Sequence, residues 1–396
     1  MLRIALKMLV ADRAKFAGLL FGIAFTAFLV TFAASYFCGF MTLGFALVTE
    51  NVAADVWVMD PAVDSVEQTI NLPSSALGRV RSVEGVRYAV PLTLGNVDAR
   101  FPNGSFQAFQ VIGVDDTSLA GAPAIPDGNA SEFRARGAVI VDPGGTSGKL
   151  QTPIHAGDRW PHDGPHLRVP TRTLKSGDEL LVNEQLVRVL ARSEGLPRFP
   201  PRPLLYTTRS NALRILPAEP HTLTFVMVKA AAGVAPRALA ARIEQRTGLR
   251  ARSAQDFKSD TVHWFLVNSE DVGDIAAMLT LAMTMGLGVT GVMLYMFTYE
   301  NQKQYAVLRA VGASSRTLLA MVGSQALVCA LLGTGIGLGL CAIAGDVVAR
   351  MGFPFRMMWF TPLAGIVGVM LVCVAAAAIS TRPVLKLQPA VVFAGR

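Results

Sequence analysis

Four long apolar segments dominate the hydropathy pattern of the chain. None contains Asp, Glu, Lys or Arg, and each exceeds the roughly 20 residues that a helix needs to cross a bilayer. The segments are 16–49, 275–299, 317–345 and 357–381. The pattern predicts four transmembrane helices, with helix 2 beginning at 269. The first segment is longer than hydrocarbon requires, so we expect its surplus to form a stalk that enters the next domain.

Residues 50–268 have a different pattern, in which short apolar stretches alternate with polar and turn residues. Period-2 patterns and turn residues predict strands at 54–60, 86–100, 105–115, 221–229 and 249–253, and helices at 73–82 and 236–247. Two β-α-β halves, 50–116 and 217–256, predict a split ferredoxin-like (porter-like) subdomain.

The segment between these halves, 117–216, is richer in Pro, Gly and short strands. It includes a predicted hairpin over 179–191 that turns at Asn183 and Glu184. We interpret it as an inserted, mainly β subdomain. The predicted fold class is therefore an α+β membrane protein with four transmembrane helices and one large external domain.

The composition supports a membrane protein, since 52% of residues are hydrophobic, 16% are charged and the mean hydropathy is +0.43. The four cysteines all lie in the apolar segments. The external domain therefore contains no disulfide framework and is large enough to fold on its own core.

The short segments between the spans differ in their basic residues. The N-terminal 1–15, the loop 300–316 and the tail 382–396 each hold three or more Lys or Arg, whereas the loop 346–356 holds two. The positive-inside rule places the three richer segments in the cytoplasm and the domain 50–268 outside. This bias accounts for part of the net charge of +8. A nucleic-acid partner is not predicted, because no basic run is interleaved with aromatic residues.

One segment of the external domain superficially resembles a phosphate-binding loop. It spans 142–150, but Pro143 replaces the first glycine and Leu150 replaces the Ser or Thr that would hold magnesium. The sequence predicts a turn there and no nucleotide site.

Three histidines, His155, His162 and His166, lie near Asp158 and Asp163. A metal site is one interpretation of this set. The segment lacks the i, i+4 spacing that presets ligand geometry on a helix, so a solvated loop is favoured and no metal site is predicted. No Ser/His/Asp or Cys/His set is apparent, and no catalytic residue is predicted.

The third span contains four alternating glycines, Gly333, Gly335, Gly337 and Gly339. They form two overlapping small-xxx-small pairs, on which another helix could approach closely. Packing against a span of the same chain and a dimer seam are both open interpretations. Asp, Glu, Lys, Arg and His, which would mark an ion path, do not occur in the four segments.

The loop 300–316 combines a polar start with apolar residues at helical spacing, Tyr305, Leu308 and Val311. The pattern stops at Gly312 and restarts behind Ser314 or Ser315. It predicts a short amphipathic helix between two membrane helices. From periodicity alone, a helix lying in the headgroup region is an equal alternative to a docking element.

At this loop the chain resembles the permeases of the MacB/FtsX superfamily, also called mechanotransmission-type ABC transporters. Their "hydrophobic-Leu-Arg/Lys-Ala-hydrophobic-Gly-Ala" stretch is similar to 306–313, Ala-Val-Leu-Arg-Ala-Val-Gly-Ala. The order of one span, a large external domain and three closing spans is similar along the whole chain. The family's usual Glu and Gly are Gln304 and Ala306, and Glu300 is the carboxylate that could supply the charge.

Within this superfamily the chain looks closest to the DevC-like permeases of heterocyst glycolipid export. The similarity rests on 57–61, Trp-Val-Met-Asp-Pro, and on 109–114, Phe-Gln-Val-Ile-Gly-Val.

The resemblance implies a permease subunit that acts as a homodimer in the bacterial inner membrane and is not itself an enzyme. ATP and Mg would bind to a separate ABC ATPase, with no cofactor in this chain. The implied ATPase contacts are Glu300, Gln304, Tyr305, Val307, Leu308, Arg309, Ala310, Val311, Gly312 and Ala313. The DevC-like relatives imply export of a lipid or other hydrophobic molecule with a periplasmic adaptor (membrane fusion protein) and an outer-membrane channel.

Two alternatives remain open. One is an FtsX-like regulator of a peptidoglycan hydrolase, which the large two-part external domain disfavours. The other is a membrane-bound, envelope-modifying enzyme that uses the histidine-rich loop.

Overall fold

The computed structural model describes residues 13–125, 129–146, 148–195, 197–217 and 223–385. Most of the predicted N-terminal segment 1–15, most of the tail 382–396 and the start of the strand predicted at 221–229 lie outside these residues.

The described chain is a mixed α/β structure. In chain order its helices are α1 (Arg13–Gly44), α2 (Ala46–Glu50), α3 (Ser75–Arg81), α4 (Ala130–Arg134), α5 (Arg209–Ile215), α6 (Pro236–Thr247), α7 (Ala254–Asn268), α8 (Glu270–Glu300), α9 (Gln302–Ala310), α10 (Ser315–Arg350) and α11 (Phe360–Leu385). Its strands are β1 (Val56–Met59), β2 (Val86–Arg100), β3 (Phe106–Val114), β4 (Ala138–Asp142), β5 (Gln151–Pro153), β6 (Thr171–Thr173), β7 (Glu179–Val182), β8 (Gln185–Arg192), β9 (Leu204–Thr208), β10 (Phe225–Ala230) and β11 (Arg250–Ser253). A short 3₁₀ turn covers Ala156–Asp158.

The chain forms two compact units. The apolar unit contains α1 as far as Phe40 and the described residues from Glu270 onward, and the sheet unit runs from Met41 to Ser269.

Four helices of the apolar unit, α1, α8, α10 and α11, are long and apolar enough to cross a membrane. Half of the most apolar part of α1 is buried, compared with 39% or less for the other three. Helix α11 packs along both α8 and α10.

Close helix contacts in this unit occur at glycines. A Cβ atom at Gly22 in α1 would lie 2.8 Å from Val289 of α8, and one at Gly365 in α11 would overlap the hydroxyl of Thr31 in α1. Small residues let helices approach closely where no solvent drives them together. A buried cluster that includes Leu19, Leu294 and Cys329 joins the helices.

The sheet unit is built on a nine-stranded sheet with the order β11-β1-β10-β2-β3-β9-β4-β8-β7, and β5 and β6 form a separate pair. The pairs β3–β9 and β4–β8 are parallel, and the other ladders of the large sheet are antiparallel. The sheet is thus mixed, with long antiparallel strands at its centre.

Strand β1 is buried on both faces, because its side chains alternate between two cores. Val56 and Val58 face a cluster that contains residues of α3 and α6. Trp57 faces the other way, with its ring 5.6 Å from Phe225 and 5.9 Å from Phe257 of α7. Helices therefore cover both faces of this end of the sheet.

The four strands of the two β-α-β halves lie side by side in the order fourth, first, third, second, that is β11-β1-β10-β2. Apart from the β5–β6 pair, the described strands of the segment between the halves do not form a separate sheet. Strand β2 is 15 residues long, so its first half pairs with β10 and its second half with β3. Through β3 the ladder continues into β9, β4, β8 and β7 of the insertion.

Several predicted elements are confirmed at residue level. Strand β2 and helix α6 have the predicted bounds. The hairpin β7–β8 turns at Asn183 and Glu184, which have φ angles of 45° and 61°, as tight hairpin turns require.

Two differences concern helices. The first apolar segment, predicted as one helix over 16–49, is divided, because α1 ends at Gly44 and Phe45 leaves the helical conformation before α2 begins. A Cβ atom at Gly44 would lie 2.6 Å from the ring of Phe265, so glycine permits close approach of α7 there. Helix α7 itself was not predicted, although Ser253 caps it by accepting from the N–H of Asp256.

Candidate functional site

The candidate coupling segment is α9 with its flanking turns, between α8 and α10. Gly312 ends it with a φ of +104°, and the N–H of Ala313 donates to the Leu308 carbonyl at 2.9 Å, a typical helix stop. Ser314 then caps α10 by accepting from the N–H of Thr317. The predicted short helix, its stop and its restart are confirmed.

The inner face of α9 packs within the apolar unit. Tyr305 is fully buried against Leu318, Met321 and Val322 of α10. Its hydroxyl donates to Gln325 Oε1 at 3.2 Å, and burial raises the pKa of Tyr305 to about 12. The tyrosine is therefore a neutral donor that fixes α9 on α10.

Tyr305, Leu308 and Val311 were predicted to share one apolar face, but they do not all face the same way. Leu308 packs on the Tyr305 cluster, whereas Val311 is 83% exposed. Ala306 is fully buried.

The outer face of α9 carries Gln304, Val307 and Ala310, and Val311 follows directly. All four are exposed, and Val307 and Val311 are the large apolar members, at 47% and 83%. We call these four residues the outer stripe. Glu300 is exposed at the end of α8, and Arg309 is partly buried in the last turn of α9. A partner could reach the outer stripe, Glu300 and Gly312 without disturbing the fold, because all of them are exposed.

The four glycines of α10 divide into two pairs. A Cβ atom at Gly333 would lie 2.7 Å from Ile23, and one at Gly337 would lie 2.4 Å from the Ala24 carbonyl oxygen, both in α1. Gly335 and Gly339 have open space around the Cβ position. The first pair therefore packs within the chain, and a dimer seam stays a prediction for the second pair.

The histidine-rich loop does not gather its three histidines. His166 lies between two carboxylates, with Nδ1 2.8 Å from Asp158 and Nε2 3.1 Å from Asp163. These hydrogen bonds, first that to Asp158, raise the pKa of His166. Within the described part of the chain, no group of three or more His, Cys, Asp or Glu side chains could hold a metal ion.

The segment 142–150 is a turn. Both carboxylate oxygens of Asp142 accept backbone N–H groups, from Gly144 and from Gly195, each at 2.8 Å. Among its described residues no helix begins after β4, so the helix N-terminus that would hold a phosphate is not formed there.

One polar cluster in the sheet unit was not found by sequence reasoning. Arg198, Glu50 and Tyr206 meet in the interior, although they are far apart in sequence. No local pattern identifies such a cluster, because it depends on the register of β9 in the sheet.

Comparison with known proteins gives a match in the C-terminal part of the chain. Residues 276–389 match the model of the family described as FtsX-like permease C-terminal. The match includes most of α8 and all of α9, α10 and the described α11. No curated protein matches the chain.

Two solved structures are similar to the chain. One is the periplasmic region of MacB from Actinobacillus actinomycetemcomitans, with 13% identity and a TM-score of 0.34 over 54% of this chain and 96% of that one. The other is the extracellular domain of the noncanonic ABC-type transporter YknZ from Gram-positive bacteria, with 13% identity and a TM-score of 0.32 over 50% of this chain and 99% of that one. TM-scores this low do not by themselves establish a common fold.

Proposed function

We propose that this chain is the permease subunit of an ABC transporter in the bacterial inner membrane. The observation that supports the proposal best is the match of 276–389 to the FtsX-like permease family. The matched region contains α9, a short helix with an exposed apolar stripe between two long apolar helices. A soluble partner that binds there could act on both neighbouring helices at once.

The partner is a separate cytoplasmic ABC ATPase, which binds ATP and Mg and docks on the outer stripe. Val307 and Val311 supply the apolar contact, and Glu300 and Arg309 supply charge beside it. A few side chains near the centre of an interface commonly carry most of its binding energy. Tyr305 and Leu308 contribute indirectly, because they hold α9 on α10.

The permease acts as a homodimer, and ATP binding moves the apolar helices so that the sheet unit changes shape outside the membrane. Both termini and the loop 300–316 are cytoplasmic, and the domain 50–268 is periplasmic. The basic residues of the short segments support this orientation.

The cargo is a lipid or another hydrophobic molecule, passed to a periplasmic adaptor and an outer-membrane channel. The support is the resemblance of 57–61 and 109–114 to DevC-like permeases. Trp57 belongs to the core in which it contacts Phe225 and Phe257, and Phe109 belongs to a second core. These motif residues therefore support a similar fold of the external domain and do not identify a cargo site.

The docking proposal predicts the effect of Val311→Asp. Because Val311 is 83% exposed, the substitution leaves the fold intact but places a desolvated charge in the interface. Loss of such a contact costs about 2 kcal/mol, or roughly thirtyfold in affinity. The measurement is ATP hydrolysis by the ATPase that co-purifies with the chain, titrated against reconstituted permease.

Val52→Asp is the matched control, because Val52 is 81% exposed in the sheet unit. It should bind and stimulate the ATPase as the wild-type chain does. Equal stimulation by the Val311→Asp and wild-type chains would remove the docking role of the outer stripe. A wild-type chain that co-purifies with no ATPase would contradict the proposed function itself.

A further inference from the structure

Three polar side chains from distant parts of the chain meet inside the sheet unit. Glu50 is the last residue of α2, Arg198 lies in the loop that follows β8, and Tyr206 is in β9. Arg198 Nη2 donates to Glu50 Oε2 at 2.5 Å and lies 3.2 Å from the Tyr206 hydroxyl. The Tyr206 hydroxyl also reaches Glu50 Oε2, at 3.4 Å. We call this set the Glu50 cluster.

The cluster is withdrawn from solvent. Arg198 and Tyr206 are each 5% exposed, and burial raises the pKa of Tyr206, so its hydroxyl remains a neutral donor. A charge in such a place is stable only with its counter-charge, and removing one partner strands the other. Glu50 and Arg198 are therefore expected to stay together whenever this part of the domain is folded.

The ion pair depends on a single nitrogen of the guanidinium. Nε and Nη1 of Arg198 are buried and have no hydrogen-bond partner among the described residues. In a bidentate arginine–carboxylate pair, a second N–H···O bond would hold the arginine if the first were lost. Among the described residues, the Arg198 side chain contacts Glu50 through Nη2, so replacing the guanidinium removes this ion pair.

The loop that carries Arg198 is itself fixed to the sheet. The N–H of Arg198 donates to the Gly144 carbonyl at 3.2 Å, and the N–H of Gly195 donates to Asp142 at the end of β4. A Cβ atom at Gly195 would lie 3.0 Å from Glu50 Oε1 and 3.1 Å from Asp142 Oδ2. These bonds hold the loop against the end of β4. A displacement of Arg198 would therefore displace the loop and the strand together.

The other partner, Glu50, belongs to the chain that leaves the first apolar helix. Only Phe45 separates α1 from α2, and α2 packs along α7. On the opposite side of the cluster, β9 is a central strand between β3 and β4. The Glu50 cluster is thus a direct side-chain connection from α2, the short helix that follows the first apolar helix, to the middle of the sheet.

We propose that Arg198 is a positioning residue that carries displacement of α2 to strand β9. This proposal rests on the proposed function, in which the apolar helices move during ATP turnover. The ion pair acts as a tether that stays closed, and the inserted strands follow α2 because Arg198 holds Glu50. The proposal concerns how motion reaches the sheet and adds no chemical step.

The same loop offers a matched control. Arg202 also donates its backbone N–H to the Gly144 carbonyl and also pairs with a glutamate, Glu67. Glu67 lies beyond β1 and not in α2. Arg198→Met and Arg202→Met therefore remove the same group from the same loop, but only the first disconnects α2. Arg198→Lys keeps a positive charge that can reach Glu50.

The test uses the full chain with its co-purified ATPase in lipid nanodiscs. Hydrogen exchange of α2 and β9 is measured with and without ATP, alongside stimulated ATP hydrolysis and thermal unfolding. In the wild-type chain, ATP should alter exchange in both elements. In Arg198→Met the response of α2 should persist while that of β9 is lost, and stimulated hydrolysis should fall about fivefold or more. Arg202→Met should respond as wild type, and Arg198→Lys should recover most of the β9 response.

Three outcomes would contradict the tether. The β9 response to ATP could be the same in Arg198→Met as in the wild type, or Arg198→Met and Arg202→Met could lose this response equally. Arg198→Lys could also fail to recover it. If Arg198→Met does not fold, the double variant Glu50→Met/Arg198→Met replaces it, since it removes the ion pair and leaves neither charge buried alone, and a full β9 response there counts against the tether. Absence of any ATP response in the wild-type chain would contradict the proposed function as well, which separates the two failures.

Discussion

At the scale of single residues, His166 shows how charge orders a loop that has little hydrophobic core. The imidazole lies between Asp158 and Asp163, and His162 is the other titratable group that acts on Asp163. Two backbone bonds then fix the loop to the β2–β3 turn, from Trp160 N–H to the Pro102 carbonyl and from His166 N–H to the Asn103 carbonyl. Side-chain charge and backbone order are therefore linked in this loop.

This arrangement predicts a pH dependence with a defined sign. Hydrogen bonds to Asp158 and Asp163 raise the pKa of His166 above 6.5, so its contribution is complete below that value and is lost as pH rises through the folded pKa. The bond to His166 lowers the pKa of Asp163 below 3.8, so that contribution is lost only as pH falls further. The loop should be most ordered between about pH 4 and 6.5.

Hydrogen exchange at Trp160 and His166 measures this order, after correction for the intrinsic rate at each pH. Protection should be higher at pH 6 than at pH 9. His166→Asn keeps a hydrogen-bonding side chain but cannot titrate, so its protection should change little between these pH values. A step of equal size in the variant would show that another group controls the loop.

At the scale of elements, the α1–α10 contact makes a prediction for two glycines two residues apart. A Cβ atom at Gly337 would lie 2.4 Å from the Ala24 carbonyl oxygen and 2.6 Å from Ala27 Cβ, and backbone atoms cannot move aside as a flexible side chain can. Gly337→Ala should therefore separate the helices and cost about 1–3 kcal/mol. Thermal unfolding of the chain in detergent measures this loss.

Gly335→Ala is the control, because the Cβ position of Gly335 has open space around it. Its stability should stay within about 0.5 kcal/mol of the wild-type chain. Should Gly335→Ala destabilise the protein as much as Gly337→Ala, then helix flexibility and not the α1 contact would be the reason for these glycines.

The predicted elements were most accurate where local rules decide the structure. Proline at the start of α6 and glycine at its end have preferred backbone angles, and Gly248 adopts a φ of +69° there. Hydropathy likewise identified the four apolar helices, since each long uncharged segment has few alternatives. These features depend on neighbours in sequence.

The remaining features depend on tertiary contacts. Periodicity placed Tyr305, Leu308 and Val311 on one face, but the chain turns at Gly312, and Val311 leaves the buried side. The insertion was predicted as a separate subdomain because composition changes near 117, whereas strand length lets β2 join both regions in one sheet. The Glu50 cluster has no local signal at all.

At the scale of the whole molecule, orientation is the property on which the proposed function depends most. The sheet unit must be periplasmic and α9 cytoplasmic, because the ATPase binds in the cytoplasm. Three basic residues, Lys303, Arg309 and Arg316, lie in the loop 300–316, whereas the loop 346–356 holds two, Arg350 and Arg356. Arg350 is also paired with Asp346 at 2.7 Å, which reduces the net charge of that end.

Two exposed valines allow this orientation to be measured with matched reporters. Val52 in the sheet unit is 81% exposed and Val311 is 83% exposed, so a cysteine at either place should react at a similar rate once a reagent reaches it. All four native cysteines are buried. With a membrane-impermeant maleimide, Val52→Cys should be labelled in cells with a permeable outer membrane, and Val311→Cys only after the inner membrane is opened.

The reverse order of labelling would place α9 outside and would exclude a cytoplasmic ATPase at the outer stripe. Labelling of both cysteines before the inner membrane is opened would mean that 300–316 and the sheet unit lie on the same side, which requires that α8 does not cross. The predicted order requires α8 to cross the membrane, because an odd number of crossings must separate Val52 from Val311 and α8 alone lies between them among the four apolar helices. The experiment therefore tests the span of α8 and its direction together.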